Sequence, residues 1–272
     1  VQMGLREEHE LKLERAINSG DKNETFNEFT RYLKWEKSPR SKKRGGPYEK
    51  ELRAALFERA LLRFPTHTEW WLDYVDFVIS QKPSSHDPSS SVLPLLERAT
   101  RHCPWSGELW ARRILRSDVE RKPYQEIESI KHRATNSGLL DVGGMEELVK
   151  VLVEWCSYLR RNAFTSTSSE DDLDTAEVGI MMALEDVQQA GRKVYGEDFQ
   201  GDPLYRLERT QMKFFSEARR VEDARNIWRG LVPKQSHSFD FWYRYYNWEL
   251  LYWGHDRLCD SHRIETTETA PH

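Results

Sequence analysis

The chain repeats itself. Aligning LFERALLRFPTHTEWW (56–71) with LLERATRHCPWSGELW (95–110) sets Glu58 on Glu97, Arg59 on Arg98, Ala60 on Ala99, Pro65 on Pro104 and Trp71 on Trp110, every time at an offset of 39 residues. The Arg-Ala pair recurs at Arg15-Ala16 and Arg133-Ala134, so the successive intervals are 44, 39 and 35 residues, a drift that loop insertions produce. Self-similarity at about 20–50 residues marks an array in which each unit buries its apolar face against its neighbours. This constrains the fold more than length does, because 272 residues would otherwise be counted as one or two compact domains.

The aromatic residues give a second, independent register. Trp242, Tyr245, Trp248 and Glu249 stand at offsets 0, 3, 6 and 7; Phe29, Tyr32, Trp35 and Glu36 repeat the spacing; Trp71, Tyr74 and Phe77 repeat its first three members, with Val78 in place of the acid. At about 100° per residue, offsets 0, 3 and 7 form one helical stripe and offset 6 flanks it. This spacing assigns FDFWYRYYNWELLYW (239–253), with nine aromatics in fifteen positions, to repeat core, leaving Tyr243, Tyr246 and Tyr252 as surplus rings for a partner groove or a following unit. Trp242→Ala is accordingly expected to cost about 3–5 kcal/mol, the usual loss on deleting a buried aromatic.

Between the aromatic helices lie segments rich in small residues, such as ELRAALFERALLRF and VEDARNIWRGLV, which let two helices approach closely; Pro65, Pro104 and Pro233 are read as their ends. The unit is an antiparallel helix pair. Twelve helices are expected, from 8–18 to 238–253, among them 145–161 and 172–196, with no strand. Polar, breaker-rich insertions fall at 37–47, 82–91 and 162–172. The predicted fold is an all-α, right-handed superhelical solenoid of about six helix pairs over residues 1–254, followed by a non-periodic tail or chain edge at 255–272.

Composition narrows the function classes. A net charge of −4, from 41 basic and 45 acidic residues, gives no global pull toward nucleic acid, so any RNA contact must be local. Three scattered cysteines make no disulfide framework and favour a reducing compartment. No apolar run reaches membrane-spanning length, and the first residues are charged rather than signal-like, so a cytosolic or nuclear protein without membrane contact is expected. No nucleophile-elbow, phosphate-loop, zincin or dinucleotide motif occurs, and the chain is read as a non-enzyme with no cofactor. His255, Cys259 and His262 have metal-like spacing, but three residues in a non-periodic tail fall short of the four a structural zinc needs; they are read as accidental. Cys103-Pro104 has the form of a haem-responsive dipeptide, yet it aligns with Phe64-Pro65 and is first of all a helix terminus.

The W-x2-Y-x2-[FW]-E helix, followed by an A-R-x-[IL]-[FW] helix and a proline, resembles the half-a-tetratricopeptide (HAT) repeat of RNA-processing proteins. Within that class, RATRHCPWSGELWARRIL, LVEWCSYLRR, DPLYRLERTQMKFFSEARRVEDARNIW and FWYRYYNWELLYWG are similar, in order, to the U4/U6 snRNP recycling factors. That family includes the squamous-cell-carcinoma antigen recognised by T cells and Prp-type splicing factors. The resemblance covers roughly residues 22–255. It implies a nuclear scaffold of pre-mRNA splicing whose partners are splicing proteins and the U4/U6 particle, ubiquitin-specific peptidases, and a second copy through the later HAT units. The family's RNA-recognition domains have no counterpart in this sequence. The alternatives are a direct RNA-binding helical repeat, or a HAT scaffold of mRNA 3′-end or ribosomal-RNA processing.

Repeat-core residues are expected to be Phe29, Tyr32, Trp35, Trp71, Tyr74, Phe77, Trp110, Trp155, Trp228, Trp242, Tyr245 and Trp248. Two basic groups are candidate partner or RNA contacts. Lys42, Lys43 and Arg44, with Arg40, form a phosphate-contacting or nuclear-localisation run, whose plain alternative is a solvated loop. Arg112, Arg113 and Arg116 stand within about one helical turn where the repeat expects apolar or aromatic residues, and are the stronger candidate. Each must find an acidic partner or face solvent, since a buried unpaired guanidinium is prohibitive.

Overall fold

The computed structural model describes residues 2–38, 48–81, 92–166 and 168–252. They form an all-α helical repeat: α1 (Gln2–Ser19), α2 (Lys22–Lys37), α3 (Glu49–Arg63), α4 (Thr68–Ser80), α5 (Leu93–His102), α6 (Gly107–Val119), α7 (Tyr124–Thr135), α8 (Leu139–Ala163), α9 (Glu170–Tyr195), α10 (Arg206–Glu217), α11 (Val221–Gln235) and α12 (239–252), with no strand among the described residues. None of the described helices is long and apolar enough to cross a membrane. The residues close into two compact units, Val1–Glu147 and Leu148–His272.

The 39-residue offset reappears as identical local geometry. Phe64 and Cys103 end α3 and α5 with nearly the same dihedrals (φ −128°, ψ 63° and φ −125°, ψ 63°), because the proline that follows each excludes the helical conformation. Their amides donate to Ala60 O (2.9 Å) and Ala99 O (2.8 Å). Six residues on, the indole Nε1 of Trp71 donates to Pro65 O (2.7 Å) and that of Trp110 to Pro104 O (2.9 Å). The proline thus ends one helix and presents the carbonyl that orients a tryptophan near the start of the next. Asp21 and Ser106 cap α2 and α6, accepting from backbone amides of the first turn, and Ser169 with Asp172 forms a reciprocal capping box on α9.

In the first unit, Ala16, Ala60, Ala99 and Ala134 are fully buried, as are Phe29 and Trp71; Tyr32, Tyr74 and Trp110 are buried, while Trp35 and Phe77 are half-buried at the rim. The closest crossing is at Gly107, where a Cβ would lie 1.9 Å from Glu147 O. Gly144 interrupts α8 with φ 80° and ψ −177°, so the predicted start at 145 marks a break inside a longer helix.

In the second unit, Trp155 and Trp228 are buried, and Trp228 stacks on Tyr245 (5.1 Å, 6°) and meets Phe241 edge-on (5.5 Å). The stripe of α12 differs from the predicted one. Phe241 is 0% exposed and Trp242 is 43% exposed, with Tyr245 and Trp248 half-buried between them. Trp242 does occupy the position of Trp71, since its Nε1 donates to Ser236 O six residues earlier (2.9 Å). It is uncovered because Trp71 has Arg98 over its ring (5.5 Å) and His102 stacked on it (5.8 Å), both from the following unit, and no described helix lies over Trp242. Pro233 does not end α11 either: it sits in the last turn, where one lost backbone hydrogen bond is tolerated, and the helix runs on to Gln235.

Two outcomes follow for chemical denaturation of the full chain. Phe241→Ala should lose about 3–5 kcal/mol and Trp242→Ala about half of that or less, reversing the ranking expected from spacing. Gly107→Ala should destabilise by about 1–3 kcal/mol although alanine is the better helix former, because its methyl group has no space beside the Glu147 carbonyl.

Candidate interaction surface

The repeat positions a polar node at the edge of its buried stripe. Glu10 in α1 accepts both Nη1 contacts of Arg59 from the next unit (2.9 Å each) and hydrogen-bonds the Tyr32 hydroxyl of its own pair. One unit on, Glu58 accepts from Arg98 (2.9 and 2.7 Å) and hydrogen-bonds Tyr74. Burial, then the facing carboxylate, pushes the Tyr74 hydroxyl up to about 12 and raises Tyr32 further, so both phenols stay protonated donors.

Arg113 occupies the tyrosine position of the third pair. It is 7% exposed, lies over the Trp110 ring (5.7 Å), donates to Thr100 Oγ1 (2.9 Å) and reaches Glu97, the counterpart of Glu58, at 3.8 Å. Burial, with Arg133 close by, pulls its guanidinium below the ordinary arginine value. An arginine therefore reaches here toward the acid that tyrosine meets in the two preceding pairs, with a longer side chain. Arg112 bridges Glu108 (2.8 Å) and Asp76, and Arg116 pairs with Glu120 (2.8 Å). Of the two outcomes the sequence left open, an acidic partner is the one found: Arg113 is buried near Glu97, and Arg112 and Arg116 are half-buried in pairs with carboxylates. Glu108 and Glu120 stand four residues from their arginines and are legible in the spacing, whereas Asp76 and Glu97 arrive from other helices.

Glu36 and Glu249, the acids at offset 7, are also structural. Glu36 is buried and accepts from Arg6 Nε (3.0 Å) and Nη2 (2.6 Å), while Arg53 donates to the Glu36 carbonyl (2.7 Å) and its Nε lies 3.5 Å from Oε2. Glu249 takes a two-pronged contact from Arg225 (2.9 and 3.1 Å), which lies over Trp248 (5.9 Å). Cys103 is buried at its helix terminus, 3.6 Å from Pro65 O, and burial pushes its thiol up, away from reactive thiolate character. Lys42, Lys43, Arg44 and Arg40, and His255, Cys259 and His262, lie outside the described residues.

The surface that spacing undervalued is the outer face of α12. Phe239, Tyr243, Tyr246, Leu250 and Leu251 are exposed with Trp242, and Phe239 stacks on Tyr243 (6.1 Å). The one arginine in that run, Arg244, is paired with Asp240 (2.6 Å). A patch of this kind, large, apolar and low in free charge, has the character of a protein interface.

The arginine geometry sets apart two charge reversals, measured by chemical denaturation. Arg113→Glu should cost about 3–5 kcal/mol, because it puts an acid into a buried site facing Glu97. Arg116→Glu, on a half-buried pair, should cost about 1 kcal/mol or less.

No family model matches the chain. Over 127 residues it is 42% identical to the U4/U6 snRNA-associated-splicing factor PRP24 of Ophiostoma ulmi, covering 46% of this chain and 15% of that protein. Over 223 residues it is 26% identical to the spliceosome associated factor 3, U4/U6 recycling protein, of Homo sapiens, and over 224 residues 25% identical to that of Danio rerio, in each case covering 79% of this chain and 22% of the relative. The chain therefore spans about a fifth or less of the length of these relatives. Over most of its length the chain is thus similar to proteins named for U4/U6 splicing and recycling.

Proposed function

We propose that the chain is a non-catalytic protein-interaction scaffold of pre-mRNA splicing: the HAT-repeat region of a nuclear factor that promotes U4/U6 snRNP reassembly. The observation that carries this reading is the match, over 79% of the chain, to proteins named for U4/U6 recycling. Two features favour protein over RNA as the direct ligand. Arg113 is buried, and Arg112 and Arg116 are already paired with carboxylates, which supports a protein rather than a phosphate ligand. The uncovered face of α12 is aromatic and aliphatic, and Arg244 beside it is paired. The proposed partners are proteins of the U4/U6 particle; ubiquitin-specific peptidases and a second copy of the chain rest on the family resemblance.

Immobilised chain incubated with nuclear extract, with and without nuclease, tests this reading. Enrichment of U4 and U6 over the other spliceosomal RNAs, with particle proteins retained after digestion, is the expected outcome. Loss of all retention on digestion would make the chain an RNA binder. Retention of cleavage or ribosomal-RNA-processing proteins without U4 and U6 would assign it to another HAT scaffold.

A further inference from the structure

In the first unit, the α1–α2 turn and the end of α3 enclose an open cavity of about 340 Å3, at the lower end of the range for small binding sites. Ile17, Phe64 and Pro65 give it apolar walls, Lys22 and Arg63 bring two cations, and no acidic side chain lines it. Neither cation has an ion-pair partner among the described residues.

The cavity exists because this turn departs from the repeat. The chain reverses through Gly20 and Asp21, and at Gly20, with φ +76°, a Cβ would meet nothing within 4 Å. One repeat on, the equivalent groups are occupied: His102, which aligns with Arg63, stacks on Trp71 (5.8 Å), and Cys103 Sγ rests on Pro65 O (3.6 Å). Arg63 makes no ring contact among the described residues, so its charge remains available at the mouth of the space.

We infer that this cavity is a docking site for an acidic peptide segment, seating one apolar side chain against Ile17, Phe64 and Pro65 while Lys22 and Arg63 take the flanking carboxylates. Charge complementarity selects an acidic ligand: two uncommitted cations and no lining acid. The apolar walls select peptide over nucleic acid, since a phosphate backbone would use the cations and leave the walls empty. Phe64 is no free stacking platform for a base, because Phe26 and Trp70 already hold its ring in T-shaped contacts (5.4 and 5.6 Å). The site stands independently of the splicing role.

Fluorescence anisotropy on the full chain tests it, with a labelled peptide carrying a central leucine and three acidic residues on each side. Saturable binding is expected, weakened roughly tenfold or more in the double variant Lys22→Ala/Arg63→Ala, the loss that one or two charge-assisted hydrogen bonds imply. The charge-conserving pair Lys22→Arg/Arg63→Lys should retain it, and both variants should keep wild-type circular dichroism. On the wild-type chain alone, a peptide with serine for leucine should bind more weakly, and one with lysines for the acids should not bind. Absence of saturable binding, indifference to the leucine, or equal affinity of the alanine variant would each overturn the proposal. So would tighter binding of a uridine oligonucleotide with the same sensitivity to the alanine variant, which would make the cavity an RNA contact.

Discussion

Helices in this protein cross where a residue has almost no side chain, and the rest of the array depends on that steric fact. Ala16, Ala60, Ala99 and Ala134 are each fully buried at the repeated Arg-Ala step, and Gly107 meets the Glu147 backbone so closely that even a methyl group would not fit. Small residues on one helix make room for large ones on the next, so Phe29, Trp71 and Trp110 can be buried without overpacking. Full burial of a ring of that size contributes several times more than an exposed ion pair does, so stability resides in the large-on-small packing.

The polar contacts act on top of that packing and differ sharply in weight. Glu58–Arg98 and Glu10–Arg59 link successive pairs but are roughly half-exposed, which limits each to about 1 kcal/mol or less. Their consequence is register: the acid receives a tyrosine from its own pair and an arginine from the next, so a slipped neighbour would leave it unsatisfied. Glu36, buried between Arg6 and Arg53, is the opposite case, where loss of one partner strands charge in the interior. Arg113 shows how the node tolerates exchange of side-chain type, since tyrosine and arginine both carry a donor at the end of a flat, stackable group.

Surfaces for recognition arise where the repeat leaves a step incomplete. At Gly20 the turn is too small to fill the space before Phe64, and on α12 the position of Trp71 is occupied by a tryptophan that no described helix covers. Both are apolar, and they differ in charge: the first has unpaired cations at its mouth, the second a paired arginine. Two surfaces that differ in this way would select partners by electrostatics as well as by shape if the proposed scaffold role holds.

The sequence by itself determined the helices, their pairing into a repeat and the resemblance to U4/U6 recycling factors. Periodicity near 3.6, prolines after helix ends and a 39-residue offset are properties of the covalent chain, and Phe64 and Cys103 obey them to within a few degrees. Only the tertiary structure decided which residues of the last stripe are buried and whether the arginines of α6 are free. Phe241 and Trp242 are adjacent in sequence, and what separates their environments is the presence of Trp228 over one and of no described helix over the other. Arg112 meets Asp76 from 36 residues away, and Arg225 meets Glu249 from 24. Burial and charge pairing are set by the neighbour across the interface, and the local pattern that fixes a helix carries no record of that neighbour.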